Sequence, residues 1–167
     1  LLAGGILACK NLLDEDPKDQ VFVENYFQTE NDATAAVNSI YSVLNATSSA
    51  PNFGGVYFSS YWVGTGLASD EMENRLVATD YDQLATFTHR PVNGVLYEFW
   101  SLAYKGINNA NFAISGMPLV NADEAFKNMR IGEARFLRAM LYFDLVRWFG
   151  DIPLVLRLGG EITPPRN

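Results

Sequence analysis

The stretch Gly132-Glu133-Ala134-Arg135-Phe136-Leu137-Arg138-Ala139-Met140-Leu141-Tyr142-Phe143-Asp144-Leu145-Val146-Arg147-Trp148-Phe149-Gly150 decides the fold. Between its two glycines no residue breaks a helix. Ala134, Leu137, Leu141, Leu145 and Trp148 recur at intervals of three and four, the period of one helical face. Upstream, Phe126 and Met129 extend the same inward set, so the spacing predicts one helix from about Asn121–Ala122 to Phe149. Gly150 stands where a C-cap belongs, and Pro153 prevents continuation. At 1.5 Å per residue the helix would reach roughly 40 Å. By residue type, Phe136, Phe143 and Trp148 are assigned to packing and not to a ligand surface.

Working outward, Leu96, Phe99, Trp100, Ala103, Tyr104, Ile107, Ala110 and Ile114 share a stripe, predicting a helix over about 95–116 that ends at Met117-Pro118. A further helix is expected over about 30–46, with Ala33, Ala36, Val37, Ile40, Tyr41 and Leu44 inward and Thr29 paired with Asp32 in a capping box. Residues 56–67 are aromatic-rich (Tyr57, Phe58, Tyr61, Trp62) and are read as a short helix. Residues 70–94 are polar and read as a long irregular excursion, and 152–158 as a short extended segment. The two long helices are expected to pair antiparallel, with Ala103, Ala110, Ala134 and Ala139 permitting close approach. The fold class is therefore all-α. Its helix pairs resemble tetratricopeptide-type units, which need neighbours to bury their outer faces, although no 34-residue repeat is visible.

Composition narrows the function. The chain has 167 residues, 49% of them hydrophobic, with a formal charge of −7. Nucleic-acid binding needs an excess of basic groups against phosphates, so no nucleic-acid partner is expected. One Cys and one His leave no Cys/His zinc site and no disulfide framework. Gly64-Thr65-Gly66 lacks the third glycine and the flanking strand of a dinucleotide loop. No calcium-loop spacing occurs, and His89 has no triad partners, so neither cofactor nor metal is expected. The carboxylate pair Asp70-Glu71 is a poor glycosidase couple. That chemistry needs two carboxyl groups about 5–5.5 Å apart across a cleft, and adjacent residues diverge.

The lone cysteine has a context. Leu1 to Ala8 is apolar and small, too short to span a bilayer, and resembles the end of a secretory h-region. Ile6-Leu7-Ala8-Cys9 resembles a lipobox, with Cys9 as the lipidated residue and Ala8 the small residue before the cut. Residues 10–20 then carry Asp14, Glu15, Asp16, Pro17 and Asp19, the composition of a solvated tether. The expected organisation is signal-peptide remnant over 1–8, lipidated cysteine and tether over 9–28, and helical domain over 29–167. The start at Leu1 and the final Pro164-Pro165-Arg166-Asn167 read as the ends of a piece of something longer.

The run Gly132 to Val155 resembles the signature of the SusD/RagB family, outer-membrane glycan-binding lipoproteins of the Bacteroidetes. Leu12-Leu13-Asp14-Glu15-Asp16-Pro17, Asn25-Tyr26-Phe27 through Ala33, Ser69-Asp70-Glu71 and Trp100 through Asn111 follow in family order. The resemblance covers 9–158 and implies a truncated N-terminal portion of a SusD-like helical fold. It also implies a surface-exposed lipoprotein that binds oligosaccharide or polysaccharide and delivers it uncleaved to a SusC-like TonB-dependent transporter. The alternative is a helical repeat scaffold for protein partners or peptide capture.

Sugar recognition uses aromatic faces for the C–H side of the ring and amides or arginines for the hydroxyls. The ligand-binding residues expected on that chemistry are Trp62, Tyr61, Asn74, Arg75 and Tyr81. No aromatic follows Asp70-Glu71 until Tyr81, a departure from the starch-binding pattern. Arg135 and Arg138 share a helix side, and one of them is expected to pair with Asp70 or Glu71 and pin the long loop.

Overall fold

A computed structural model describes residues 23–44, 55–75 and 79–159. The expected lipidation site Cys9, the part of its tether up to Phe22 and the segment 160–167 lie outside the described residues. The elements are α1 (Val23–Tyr26), α2 (Glu30–Leu44), a π-helical turn (Val56–Tyr61), α3 (Trp62–Leu67), α4 (Thr79–Ala85), α5 (Gly94–Gly116), a 3₁₀ turn (Met117–Leu119) and α6 (Glu124–Phe149). No strand occurs among the described residues, so the fold is all-α as expected.

The long helices stop and start where their sequences say. Thr29 and Asp32 form the capping box of α2: the Thr29 N–H donates to Asp32 Oδ2 at 2.8 Å and the Asp32 N–H to Thr29 Oγ1 at 3.3 Å. The Thr29 hydroxyl, which donates to Asp32 Oδ2 at 2.7 Å, and then the Thr29 N–H hold the Asp32 carboxyl below its ordinary range. Asn93 Oδ1 caps α5 by accepting from Val95 N–H, and Asp123 Oδ1 caps α6 by accepting from Phe126 N–H at 2.7 Å. α6 therefore starts at Glu124, two residues after Ala122 of the expected Asn121–Ala122 start. Gly150 closes the helix at φ 72°, a conformation other residues reach at a cost.

α5 and α6 run antiparallel. Phe99 stacks on Trp148 with centroids 4.5 Å apart, Gly106 faces Leu141, and Asn111 accepts from Arg138. α2 lies against both, with Asn109 Nδ2 donating to the Ser39 carbonyl and Arg130 Nη2 to Thr34 Oγ1. A Cβ on Gly106 would stand 2.6 Å from Leu141 and 2.7 Å from Val43, so this glycine sets how closely the three helices approach. One core (Phe27, Val37, Ile40, Met117, Leu137) fills the end where α1 and α2 meet the pair. A second (Val56, Phe99, Ile107, Leu141, Leu145) fills the other end. A small third core (Leu67, Leu84, Val95) seals α3 and α4.

Three expectations are corrected. The excursion over 70–94 contains α4, whose Leu84 is buried. Met129, Phe136 and Phe143 point outward, Phe136 at 67% and Phe143 at 62% exposure, and Ala139 is exposed beside them. Residues two apart on a helix stand about 200° apart, so burying Ala134 and Leu141 turns Phe136 and Phe143 to the other side. Tyr41, expected inward, is also exposed, and its hydroxyl donates to Glu133 Oε1 at 2.8 Å. Trp148 does pack inward, as expected.

Candidate functional site

Where the π-helical turn meets the last turns of α6, aromatic and charged side chains collect. The wide turn buries Val56 and swings Tyr57 and Tyr61 toward α6, their rings 5.4 Å apart and edge to face. Tyr61 also contacts Trp148 at 5.7 Å and Phe99 at 6.0 Å. The Tyr57 hydroxyl donates to Asp144 Oδ2, and Asp144 is 5% exposed. Arg147 Nη1 stands 3.6 Å from Asp144 Oδ1 and donates to the Tyr61 hydroxyl at 3.1 Å. Its guanidinium lies over the Phe143 ring, 5.2 Å from the centroid. Burial, then the bond to Asp144, pushes the Tyr57 phenol well above its usual value. The buried carboxylate thus has a donor on one side and a cation on the other, as burial requires.

Trp62, at the start of α3, stands beside this network with 51% of its surface exposed. α3 is pressed inward behind it, because a Cβ on Gly64 would lie 2.3 Å from the Trp148 ring. Of the residues expected to bind ligand, the structure places Tyr61 and Trp62 together. Asn74, Arg75 and Tyr81 sit in the neighbouring α3–α4 corner. There Met72 folds back on Gly66, Asn74 Nδ2 donates to Asp82 Oδ1, and exposed Arg75 faces Glu73 at 3.4 Å. Tyr81 is half-buried against the third core, more packing than platform.

The expected pairing of Arg135 or Arg138 with Asp70 or Glu71 does not form. Arg138 instead donates to Asn111 Oδ1 at 2.6 Å and to the Leu156 carbonyl at 3.2 Å. Burial lowers its pKa from the usual arginine range. Asp70 and Glu71 lie exposed in the turn after α3, the helix whose Gly64 packs against Trp148. Ten residues of helix separate Trp148 from Arg138, about 15 Å, beyond the reach of a side-chain pair. Arg135 is exposed on the helix.

A recess of about 300 Å³ opens between α5 and the segment after α6, lined by Tyr104, Ile107, Asn108, Asn111, Val155 and Arg157. Asn111 and Tyr104 spend their polar groups on holding that segment. Among the described residues no group of three or more His, Cys, Asp or Glu could hold a metal ion. No described helix is long and apolar enough to cross a membrane. Sequence reasoning missed Tyr57, Asp144 and Arg147. Their signal was the four-residue step from Tyr57 to Tyr61 and the three-residue step from Asp144 to Arg147, but nothing local joined the two pairs.

The family profile of SusD-like proteins described as "starch-binding associating with outer membrane" matches residues 11–164. SusD-like protein P2 of Formosa agariphila is 33% identical over 150 residues, covering 90% of this chain and 28% of that protein. SusD-like protein P38 of the same organism is 27% identical over 164 residues, 98% of this chain and 30% of that protein. The chain therefore spans about three-tenths of the length of the curated relatives it matches. No solved structure matches it. The match runs through all three long helices and the signature on α6, and on that ground the chain belongs to the SusD-like family.

Proposed function

We propose that the chain is the N-terminal helical part of a surface lipoprotein that binds oligosaccharide or polysaccharide and passes it to a SusC-like TonB-dependent transporter for uptake. The observation that carries this reading is the family match over 11–164, with its starch-binding, outer-membrane description. In this reading residues 1–8 are the remnant of a signal peptide and Cys9 carries the lipid anchor. Residues 9–22 tether the helical domain to the outer membrane; the domain begins earlier than the expected residue 29, because α1 and the buried Phe27 already belong to its core. The protein binds without cleaving: Asp70 and Glu71 are adjacent and exposed, and Asp144 is closed off by Tyr57 and Arg147. Trp62 offers the sugar an apolar face, with the Tyr61–Arg147 pair beside it and Asn74 and Arg75 from the α3–α4 corner supplying polar contacts.

Affinity-gel electrophoresis against starch and a panel of neutral polysaccharides tests the reading. Retarded migration is expected in at least one gel. Trp62→Ala should weaken the retardation about three- to tenfold, the loss of roughly 0.7–1.4 kcal/mol of ring contact, with helicity unchanged. Migration unaltered in every gel would favour the scaffold reading.

A further inference from the structure

Among the described residues other than glycine, Phe87 alone has a positive φ, 56°. It is the second residue beyond α4, and two hydrogen bonds close the helix around it. Its own N–H donates to the Leu84 carbonyl at 3.2 Å, and the Thr88 N–H donates to the Gln83 carbonyl at 2.9 Å. That pair is a Schellman closure, whose left-handed position glycine ordinarily fills. A side chain there is strained by its Cβ, and such outliers collect at functional positions. Packing does not offset the strain, since 68% of Phe87 is exposed. An aromatic ring held on a strained backbone and presented to solvent serves the exterior, not the core.

The loop that carries it is pinned at both ends. Thr86 Oγ1 donates to the Asp82 carbonyl at 2.6 Å and lies 2.9 Å from Thr88 Oγ1. Buried Asn93 donates from Nδ2 to the Asp80 carbonyl at 2.9 Å, and its N–H donates to the Arg90 carbonyl at 2.9 Å. Residues 86–92 are all exposed. A platform fixed in advance loses little freedom when a ligand arrives.

The position of the loop selects its occupant. Val63, Ala85 and Leu96 pack on the third core with Leu67, Leu84 and Val95. Trp62 precedes Val63, Phe87 stands two residues past Ala85, and exposed Tyr97 follows Leu96. Three exposed aromatics therefore surround one small core, carried by α3, the α4–α5 loop and α5. Packed helices stand about 8–10 Å apart, more than one sugar ring covers. His89 and Arg90, exposed on the same loop, supply groups for hydroxyls. A lipid surface is the poorer occupant. The loop leads into the N-terminal end of α5, whereas α1, next to the proposed tether, packs at its C-terminal end, where Phe27 meets Gly116. The 23 residues of α5 put about 35 Å between the two. We propose that Phe87, with Tyr97, is a second glycan contact, so that the site takes an extended polysaccharide lying across Trp62 and Phe87 together. This rests on the reading that Trp62 binds sugar.

Affinity-gel electrophoresis of the full-length protein in starch and neutral-polysaccharide gels tests it. Phe87→Gly and Phe87→Asn place residues that accept a positive φ without the ring. Each should weaken retardation about three- to tenfold, the loss of one aromatic contact, with Tm no lower than the parent's. Phe87→Trp should keep the retardation. A disaccharide of the retarding polymer, titrated by NMR, should bind Phe87→Gly as it binds the parent, and Trp62→Ala more weakly. Retardation weakened by Trp62→Ala but unchanged by both Phe87 variants would overturn the second contact alone. Equal losses for disaccharide and polymer would put Phe87 in a single-sugar site and overturn the extended-chain assignment. A parent that migrates freely in every gel would overturn the reading of Trp62 and this proposal with it.

Discussion

Tyr104 and Tyr142 lie edge to face, 6.3 Å apart, and both serve the segment after α6. The Tyr104 hydroxyl donates to the Pro153 carbonyl at 2.7 Å, and the Tyr142 hydroxyl accepts from the Val155 N–H at 2.7 Å. Burial, then the neighbouring Tyr142, pushes the Tyr104 phenol up to about 12 from its ordinary 10. A phenol raised on folding contributes stability that is fully present below pH 10 and lost as pH climbs from 10 toward 12. Tyr104→Phe should therefore cost about 1 kcal/mol at neutral pH through the lost hydrogen bond and soften the alkaline decline. Urea unfolding at stepped pH measures both effects, and an alkaline limb identical to the parent's would contradict the assignment. At this scale the sequence showed which residue types were available and little of their use. Trp62 and Tyr61 could be picked out as aromatics in one short stretch, but Asp144 looked like an ordinary helix carboxylate until Tyr57, 87 positions away, was found bonded to it.

Glycines within helices show how far an element obeys its own sequence. In isolation each would gain about 1 kcal/mol from replacement by alanine. Gly132 on α6 is exposed with no neighbour near its Cβ position, so Gly132→Ala should raise Tm by about 2–4 °C. Gly116 ends α5 beneath Phe27, whose ring atoms lie 1.9–2.5 Å from where a Cβ would stand. Phe27 is fully buried and packed on Tyr26 and Phe112, so it has nowhere to move. Gly116→Ala should lower stability by about 1–3 kcal/mol, and a rise in Tm for both variants in thermal unfolding would refute this contrast. Three helices were legible because their apolar period runs for four turns or more. α4 was not, since seven residues rich in aspartate give too few turns for a period, and the helix depends on Leu84 packing against Leu67 and Val95.

Across the whole molecule, α5 and α6 jointly fix the extended segment that leaves the bundle. Asn111 is central: its amide donates to the Val155 carbonyl at 3.0 Å while its oxygen accepts from Arg138, which also reaches the Leu156 carbonyl. Asn111→Ala removes one bond to the segment and the partner of a half-buried arginine. The expected cost is about 1–3 kcal/mol, with amide exchange at Val155 faster by roughly tenfold and the middle of α2 little changed. Unchanged exchange at Val155 would show that the tyrosines alone hold the segment. By itself the sequence determined the helical class, the caps at Thr29 and Gly150, and the antiparallel pairing of the two long helices, because period, capping and small-residue spacing act within a few turns of chain. Only the tertiary structure decided that Met129, Phe136 and Phe143 face outward, where Arg138 finds its partners, and how Tyr57, Tyr61, Asp144 and Arg147 meet beside Trp62. Those outcomes depend on groups distant in the chain that compete for the same space and hydrogen bonds, and no local pattern carries that information.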